Sequence, residues 1–362
     1  GMYKSTKLNY NGGDNPQPDY WKRLPSSYYD VWGNDYNTEQ GYQDFLTARN
    51  YFMGSMAARQ ISFDQLIYAN RQAASQGADA MYYIQARNSN AFNLTLSSTL
   101  TSHITEKSVW NNGFFVAHND NNHFQTMEDL LGASSFHNIN TYALGTYPAG
   151  SDRLQYDLNQ ANGTVKKGDR FGYDYHILVN KAQVWTSYTE DFGIVHYSVS
   201  ARLGGQTMQR DGKMRNGLFA DNSYGKSKTA KFLEGGFKAS GDFNLGGGNT
   251  LTLGMGYDMH APSASTAFYA PEVNNDFVMN LHNERLFSSE VGYQFLNSWL
   301  HANINAYYNY MSNVTEWNCF YFDDINSFSY NSLSGLRKES YGIEGALKFK
   351  LASFLDLKLL GT

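Results

Sequence analysis

The sequence predicts an all-β protein, an antiparallel up-and-down meander of long strands, on three observations. The composition suits strands and turns: 28 Tyr, 23 Phe and 6 Trp make 16% of the 362 residues aromatic, beside 33 Gly, 6 Pro and only 17% charged residues. Aromatic side chains fit a pleated surface, and Gly tolerates the dihedrals of tight turns. Apolar residues recur at every second position in segment after segment, the period of a strand and not of a helix. Short and long connections between these segments then take strict turns along the chain.

A first strand is expected around Tyr3 to Leu8. A very long connection over 10–79 follows, holding helical turns over 61–75 with Ser62 as a cap and Asp64 and Gln65 in the first turn. Phe92, Leu94, Leu96 and Leu100 mark the next strand. A second very long connection spans 119–172, in which Thr126 to Leu131 reads as a helical turn. The short link 189–193 leads into a strand carrying Tyr197, Val199, Ala201 and Leu203, and 209–229 is long again. Residues 233–245 and 250–259 alternate around the short Gly246-Gly247-Gly248-Asn249 turn, and 261–286 is long. Residues 299–311 follow the short Asn297-Ser298 link, Tyr341 to Leu351 alternate, and 352–354 leads to a last strand at Leu355 to Leu359.

Many of these strands run to about ten residues, whereas strands of soluble proteins usually hold about 5–6 and a tilted bilayer crossing takes roughly 9–11. Each has one apolar face and one face of Asn, Ser, Gly, Lys, Glu and His. A soluble sandwich buries the apolar face, and a membrane barrel turns it to lipid. The sorting of short turns and long loops favours the barrel. Leu251, Leu253, Met255 and Tyr257 should then share an outer face with Leu300, Ile304 and Tyr308, whereas two packed layers with those residues as a common core would mark a soluble protein. Trp299, Tyr307, Tyr308, Tyr310, Trp317, Phe320, Tyr321 and Phe322 are candidates for an aromatic girdle at the membrane interface. Mean hydropathy of -0.53 is compatible with a barrel, because half of each strand is polar.

Net charge is -5, from 28 Lys+Arg against 33 Asp+Glu, which argues against nucleic-acid binding. The lone Cys319 excludes an intramolecular disulfide and a Cys-based zinc cluster. Gly225-Lys226-Ser227 resembles the end of a phosphate loop, but Ala220 stands where that motif needs Gly. The run His118-Asn119-Asp120-Asn121-Asn122-His123 holds oxygen and imidazole ligands without an EF-hand's spacing, and reads as a solvated loop. Asp323-Asp324 is a carboxylate pair whose separation the sequence leaves open. No Gly-x-Ser-x-Gly elbow and no His-Glu-x-x-His helix occurs. No catalytic residue, metal or cofactor is expected.

Several stretches resemble one family. They are Arg210-Asp211-Gly212-Lys213-Met214-Arg215-Asn216-Gly217 leading to Asn222-Ser223-Tyr224-Gly225-Lys226-Ser227, and Pro18-Asp19-Tyr20-Trp21 running to Leu24-Pro25-Ser26-Ser27-Tyr28-Tyr29. Gly168-Asp169-Arg170-Phe171-Gly172-Tyr173-Asp174-Tyr175 and Asn283-Glu284-Arg285-Leu286-Phe287-Ser288, the latter preceded by Ala261-Pro262 and Ala267-Phe268, belong with them. Together these stretches resemble the barrel portion of TonB-dependent outer-membrane receptors of Bacteroidetes, of the type with an N-terminal carboxypeptidase-regulatory-like domain. The resemblance implies a barrel of about 22 strands with long extracellular loops around a plug. It implies energised uptake of a large nutrient, such as an iron chelate, glycan, cobalamin or peptide. No segment reads as a plug or TonB-contact motif, and the strand pattern stops midway. Residues 1–362 are therefore expected to form about half of the barrel, with the plug domain and C-terminal strands absent.

The expected location is the outer membrane of a Gram-negative bacterium. Expected partners are TonB, reached through the missing plug region, outer-membrane lipid and lipopolysaccharide, with a surface lipoprotein as a further candidate. Ligand-binding candidates in the first long loop are Tyr20, Trp21, Tyr28, Tyr29 and Trp32, whose flat rings suit stacking. Arg210, Lys213, Arg215, Lys226 and Lys228 are candidates for an anion or lipopolysaccharide contact. The alternative function is a soluble, secreted, aromatic-rich β protein that binds or cleaves carbohydrate.

Overall fold

The structure is a computed structural model that describes residues 1–28, 37–322 and 327–362. The described residues include twelve strands: β1 (Met2–Tyr10), β2 (Tyr82–Thr105), β3 (Ser108–Asp129), β4 (Arg170–Asp191), β5 (Val195–Gly212), β6 (Gly225–Lys226), β7 (Ala230–Gly246), β8 (Asn249–His260), β9 (Glu284–Leu296), β10 (Leu300–Phe322), β11 (Ser327–Ala352) and β12 (Leu355–Gly361). All belong to one sheet, in which each strand pairs antiparallel with its neighbour in sequence and the two-residue β6 sits beside β5. Among the described residues β1 and β12 form the two edges and do not pair with each other.

The register keeps the apolar positions on one face. Val116 lies between Leu96 and Ala182, Val184 opposite Leu203, and Phe237 opposite Tyr257. Leu251 and Ile304 flank Tyr293, and Ala306 lies between Val291 and Ile343. These residues form no shared core: Leu96 is 64% exposed, Leu203 57%, and Met255 and Ile304 50% each. The apolar face is thus left open and not packed against a second layer. The opposite face is polar and cross-linked. Lys181 reaches the buried Glu234 at 2.7 Å, and Arg202 holds Asp258 at 2.7 Å.

Short links join the strands at one end: Glu106–Lys107, 192–194, Gly247–Gly248, 297–299 and 353–354. The β7–β8 turn has Gly246, Gly247 and Gly248 at φ of 81°, 61° and 83°, left-handed dihedrals that only glycine adopts freely. The long connections 11–81, 130–169, 213–229 and 261–283 all lie at the other end. Trp299, stacked on Phe349 at 6.3 Å, lies at the short-turn end and suits a membrane interface. Tyr307 and Trp317 do not serve there. The Tyr307 hydroxyl turns to Gly342 on the polar face, and Trp317 donates from Nε1 to the Tyr269 carbonyl in a long loop.

Five strands are much longer than a crossing needs: β2 has 24 residues, β3 and β4 22 each, β10 23 and β11 26. Their extra length corrects two expectations. Residues 119–129 belong to β3 and not to a loop, and the expected helical turn at 126–131 is largely strand. Thr126 pairs with Ala86 and Arg170, and Met127 is wholly buried, so cross-strand pairing overrides the local acid-rich turn signal.

The first long loop carries α1 (Glu39–Gly54), capped by Thr38 on the Gly41 amide, and α2 (Phe63–Ser75). α2 follows Ser62 as expected, although the Ser62 side chain makes no capping bond. Leu66, Asn70 and Ala73 form its buried stripe. Asn70 fixes the helix to the sheet. Its Nδ2 donates to the carbonyls of Tyr82, Leu130 and Leu131, and its Oδ1 accepts from the amides of Met81 and Tyr82. Asn70→Ala should orphan these groups and cost about 3 kcal/mol locally. Native-state proteolysis within 39–75 should then accelerate about a hundredfold while the strands stay intact. Unchanged cleavage would show that the clasp does not hold the loop.

Candidate functional site

The long loops fold onto the sheet as one interlocked layer. On the polar face, Tyr173, Tyr175, Ile177 and Val179 of β4 pack with Met208, Phe232, Ala267 and Phe268, so the 261–283 loop closes over an apolar cluster. A second cluster joins Tyr83, Met127 and Phe171 to Phe136 and Val165 of the 130–169 loop. Polar bonds tie the loops to each other. Arg215 N donates to Asp157 Oδ1 at 2.9 Å, Gly217 N to the Gln155 carbonyl at 2.8 Å, and Asn222 Nδ2 to Asp276 Oδ1 at 2.7 Å.

Arg210 is the centre of this fastening, and its place departs from the expectation. It is 2% exposed and unavailable to an outside anion. Nε donates to the Pro271 carbonyl at 2.7 Å, and Nη1 to the Ser223 carbonyl at 2.8 Å and Asn275 Oδ1 at 2.6 Å. The guanidinium also lies 5.0 Å from the centre of the Tyr175 ring. One residue of β5 thereby holds two long loops. Gly212 allows the approach, since a Cβ there would stand 1.9 Å from the Ser223 carbonyl oxygen.

The other basic candidates are dispersed. Lys213 pairs with Asp211 at 2.7 Å, and Arg215 donates to the Ala220 carbonyl and reaches Asp221 at 3.5 Å. Lys226 and Lys228 are exposed, and neither has an ion pair among the described residues. Gly225-Lys226-Ser227 is a structural element: β6 pairs with Asp211 and Gly212, and Ser227 Oγ accepts from the Arg210 amide. In the first loop Tyr20 and Trp21 meet edge to face at 6.0 Å, and Lys22 Nζ lies 5.1 Å from the Trp21 ring centre. Trp21 is 40% exposed and Tyr28 half-buried. Tyr29 and Trp32 lie outside the described residues, as do Asp323 and Asp324. A cleft of about 610 Å³ opens in the same loop between Pro18, Asp19, Arg59, Ile61 and Phe63, and Tyr20, Trp21 and Tyr28 do not line it.

The run His118 to His123 is strand, not loop. Asp120 meets His176 at 2.6 Å, His118 meets Asn180 at 2.7 Å, and His123 stacks on Tyr175. Among the described residues no group of three or more His, Cys, Asp or Glu could hold a metal ion.

Sequence reasoning missed the acidic and phenolic groups of the loop layer. Burial pushes the Glu272 carboxyl above its usual range, with the Arg87 charge opposing. Burial also raises the Tyr156 phenol, helped by the charges of Tyr142 and Glu272, and pushes Tyr142 up to about 12. A polar cavity of about 410 Å³ lies between Asn138, Asp157, Gln160, Asp169, Asp174 and Lys213. Nothing in the spacing of these residues announces it, because they come from three separate chain segments. Among the described residues the layer thus brings together aromatic faces, buried acids and phenols and a polar cavity.

No known family matches the sequence, and no curated protein matches it. Solved structures do match. The copper transporter OprC superimposes with a TM-score of 0.53 at 10% identity, over 77% of this chain and 37% of that one. The ferric citrate transporter FecA in its unliganded form gives 0.46 at 8% identity, over 75% and 33% of the two chains. The FrpB iron transporter from Neisseria meningitidis gives 0.46 at 11%, over 76% and 35%. Among the described residues no helix is long and apolar enough to cross a membrane. The chain shares the strand meander of OprC and spans 37% of that protein's length.

Proposed function

We propose that these residues form part of the barrel of a TonB-dependent outer-membrane receptor of the Bacteroidetes type, which imports a large nutrient and catalyses no reaction. One observation carries this reading: a single meander whose long loops all gather at one end and whose apolar face is exposed instead of packed. The shared strand meander of OprC, a copper transporter, supports this reading. In this reading a plug and the TonB contact come from parts of the protein outside these residues. Outer-membrane lipid covers the apolar face, and a surface lipoprotein is a candidate partner at the loop end. The loop layer receives the nutrient, with Tyr20, Trp21, Tyr28, Tyr29 and Trp32 as stacking candidates and Lys226 and Lys228 as contacts for lipopolysaccharide phosphate.

The test uses the complete receptor in a strain that depends on it for one nutrient. Replacing Tyr20, Trp21, Tyr28 and Tyr29 together by Ala should lower uptake at least about tenfold at unchanged surface level, the loss of roughly 1.4 kcal/mol or more of binding. Uptake at the unaltered rate would remove these rings from the site. Lys226→Glu with Lys228→Glu should reduce co-purifying lipopolysaccharide, and equal retention would exclude the two lysines as its contacts.

A further inference from the structure

The 261–283 loop leaves the sheet from the last residue of β8 and returns at the first residue of β9. Those two residues, His260 and Glu284, stand directly opposite each other in register. A crossing takes roughly 9–11 residues, so His260, the twelfth of β8, lies at the aqueous rim. Its Nδ1 is 3.1 Å from Asp258 Oδ2 and its Nε2 is 3.3 Å from Glu284 Oε2. A neutral imidazole carries one N–H and can serve only one of these carboxylates, whereas the imidazolium donates to both.

Both carboxylates are held from elsewhere, so they cannot follow the ring if it moves. Asp258 takes a two-pronged bond from Arg202 of β5, with both contacts at 2.7 Å. Glu284 Oε1 accepts from the Thr315 amide of β10 at 3.1 Å. The remaining charges around the group are accounted for. Glu234 of β7 takes Lys181 of β4 and accepts from the Ala261 amide, the first residue of the loop, while Glu316 of β10 pairs with Lys338 of β11.

We propose that His260, gripped between Asp258 and Glu284, is a proton-operated latch on the neck of the 261–283 loop. When His260 is charged, the neck is closed by two charge-assisted bonds; when it is neutral, one bond is lost and the neck can part. The loop seals Ala267 and Phe268 onto the inner apolar cluster, so opening it exposes that cluster. The geometry of the latch stands whether or not the chain imports a nutrient.

The direction of the response follows from the partners. The bond to Glu284, and then that to Asp258, hold His260 above the ordinary histidine value against the pull of burial. Its contribution is therefore complete below about pH 6.5 and is lost as pH rises through the raised value. Burial pulls Glu284 upward, but the bonds from His260 and Thr315 and the charges of His260 and Lys338 together carry it below its ordinary value. Its contribution is complete above about pH 4.3 and is lost as pH falls through the depressed value. The latch is shut between those two limits and opens on the alkaline side.

Hydrogen exchange on the complete folded protein in detergent, corrected for intrinsic rates, tests this between about pH 5 and pH 9. Peptides from 262–283 should lose protection about tenfold as His260 loses its proton, while peptides of the β2–β3 hairpin stay flat. His260→Gln should give low protection at every pH, and Glu284→Gln should move the loss toward the ordinary histidine value of about 6.5. Protection that is independent of pH in the unaltered protein, or the same pH profile in His260→Gln, would overturn the latch. Should His260→Gln fail to fold, the imidazole titration of the unaltered protein decides. A His260 pKa at or below about 6.5 overturns it as well.

Discussion

Ile304→Arg should destabilise the folded protein by about 2–4 kcal/mol, while Asn303→Arg, one residue earlier, should stay within about 1 kcal/mol. Ile304 is 50% exposed on the apolar face, between Tyr293 and Gly345 of the neighbouring strands. If that face meets hydrocarbon, a guanidinium there must leave water unpaired, which is the costliest change a barrel exterior can suffer. Asn303 points to the polar face, opposite Gln294 and Ala346, where an added charge stays off the apolar side. The measurement is the fraction of the complete protein running as a compact, heat-modifiable band in detergent. The Arg at 304 should empty that band, and the Arg at 303 should leave it filled. Equal behaviour of the two variants would mean that the exposed face meets water, and would restore the soluble, carbohydrate-binding alternative.

Arg210→Met should be the most damaging single change in the loop layer. It removes a charge whose three hydrogen bonds bind two loops to β5, and it orphans the Pro271 and Ser223 carbonyls and Asn275 Oδ1. Buried acceptors left without donors cost about 1–3 kcal/mol each, and allowing for relaxation the sum is about 3–5 kcal/mol. Limited proteolysis should cut 213–229 and 261–283 rapidly while the strands hold. Arg210→Lys should not rescue the layer, because one ammonium cannot reach acceptors that the planar fork meets at once. Arg215→Ala supplies the contrast. Its carboxylate partner Asp221 is 99% exposed, so its loss should change stability by less than about 1 kcal/mol. Equal protease sensitivity of the two variants would show that Arg210 does not fasten the loops.

Fold and site were legible to different degrees, for physical reasons. Within the apolar belt the two faces of a strand meet different surroundings, so Leu251, Leu253 and Met255 must alternate with Thr250, Thr252 and Gly254. Beyond the belt no lipid-type face runs continuously, and the inner face is apolar only where loops cover it. There Asn88 to Asn90 and Asn119 to Asn122 carry no alternation, although they are as much strand as the rest. For the same reason Thr126 to Leu131 suggested a helical turn. α1 escaped notice because most of it is exposed and only Gly41 is buried, which leaves no apolar stripe to see.

The sequence by itself determined the strand periodicity, the meander, the sorting of short turns from long loops and the helical turns after Ser62. Each of these depends on neighbours a few residues apart, where the chain's own spacing decides which side chains share a face. Only the tertiary structure decided that Arg210 is a buried clasp and not a surface anchor, that Asn70 holds α2 to the sheet, and that His260 faces two carboxylates. Those roles depend on Pro271, Leu130 and Glu284, which lie 61, 60 and 24 residues away along the chain. Charge and amide are the same in a solvated loop and in a closed one. What distinguishes the two is which distant carbonyl or carboxylate folding brings within hydrogen-bond reach, and no local pattern records that.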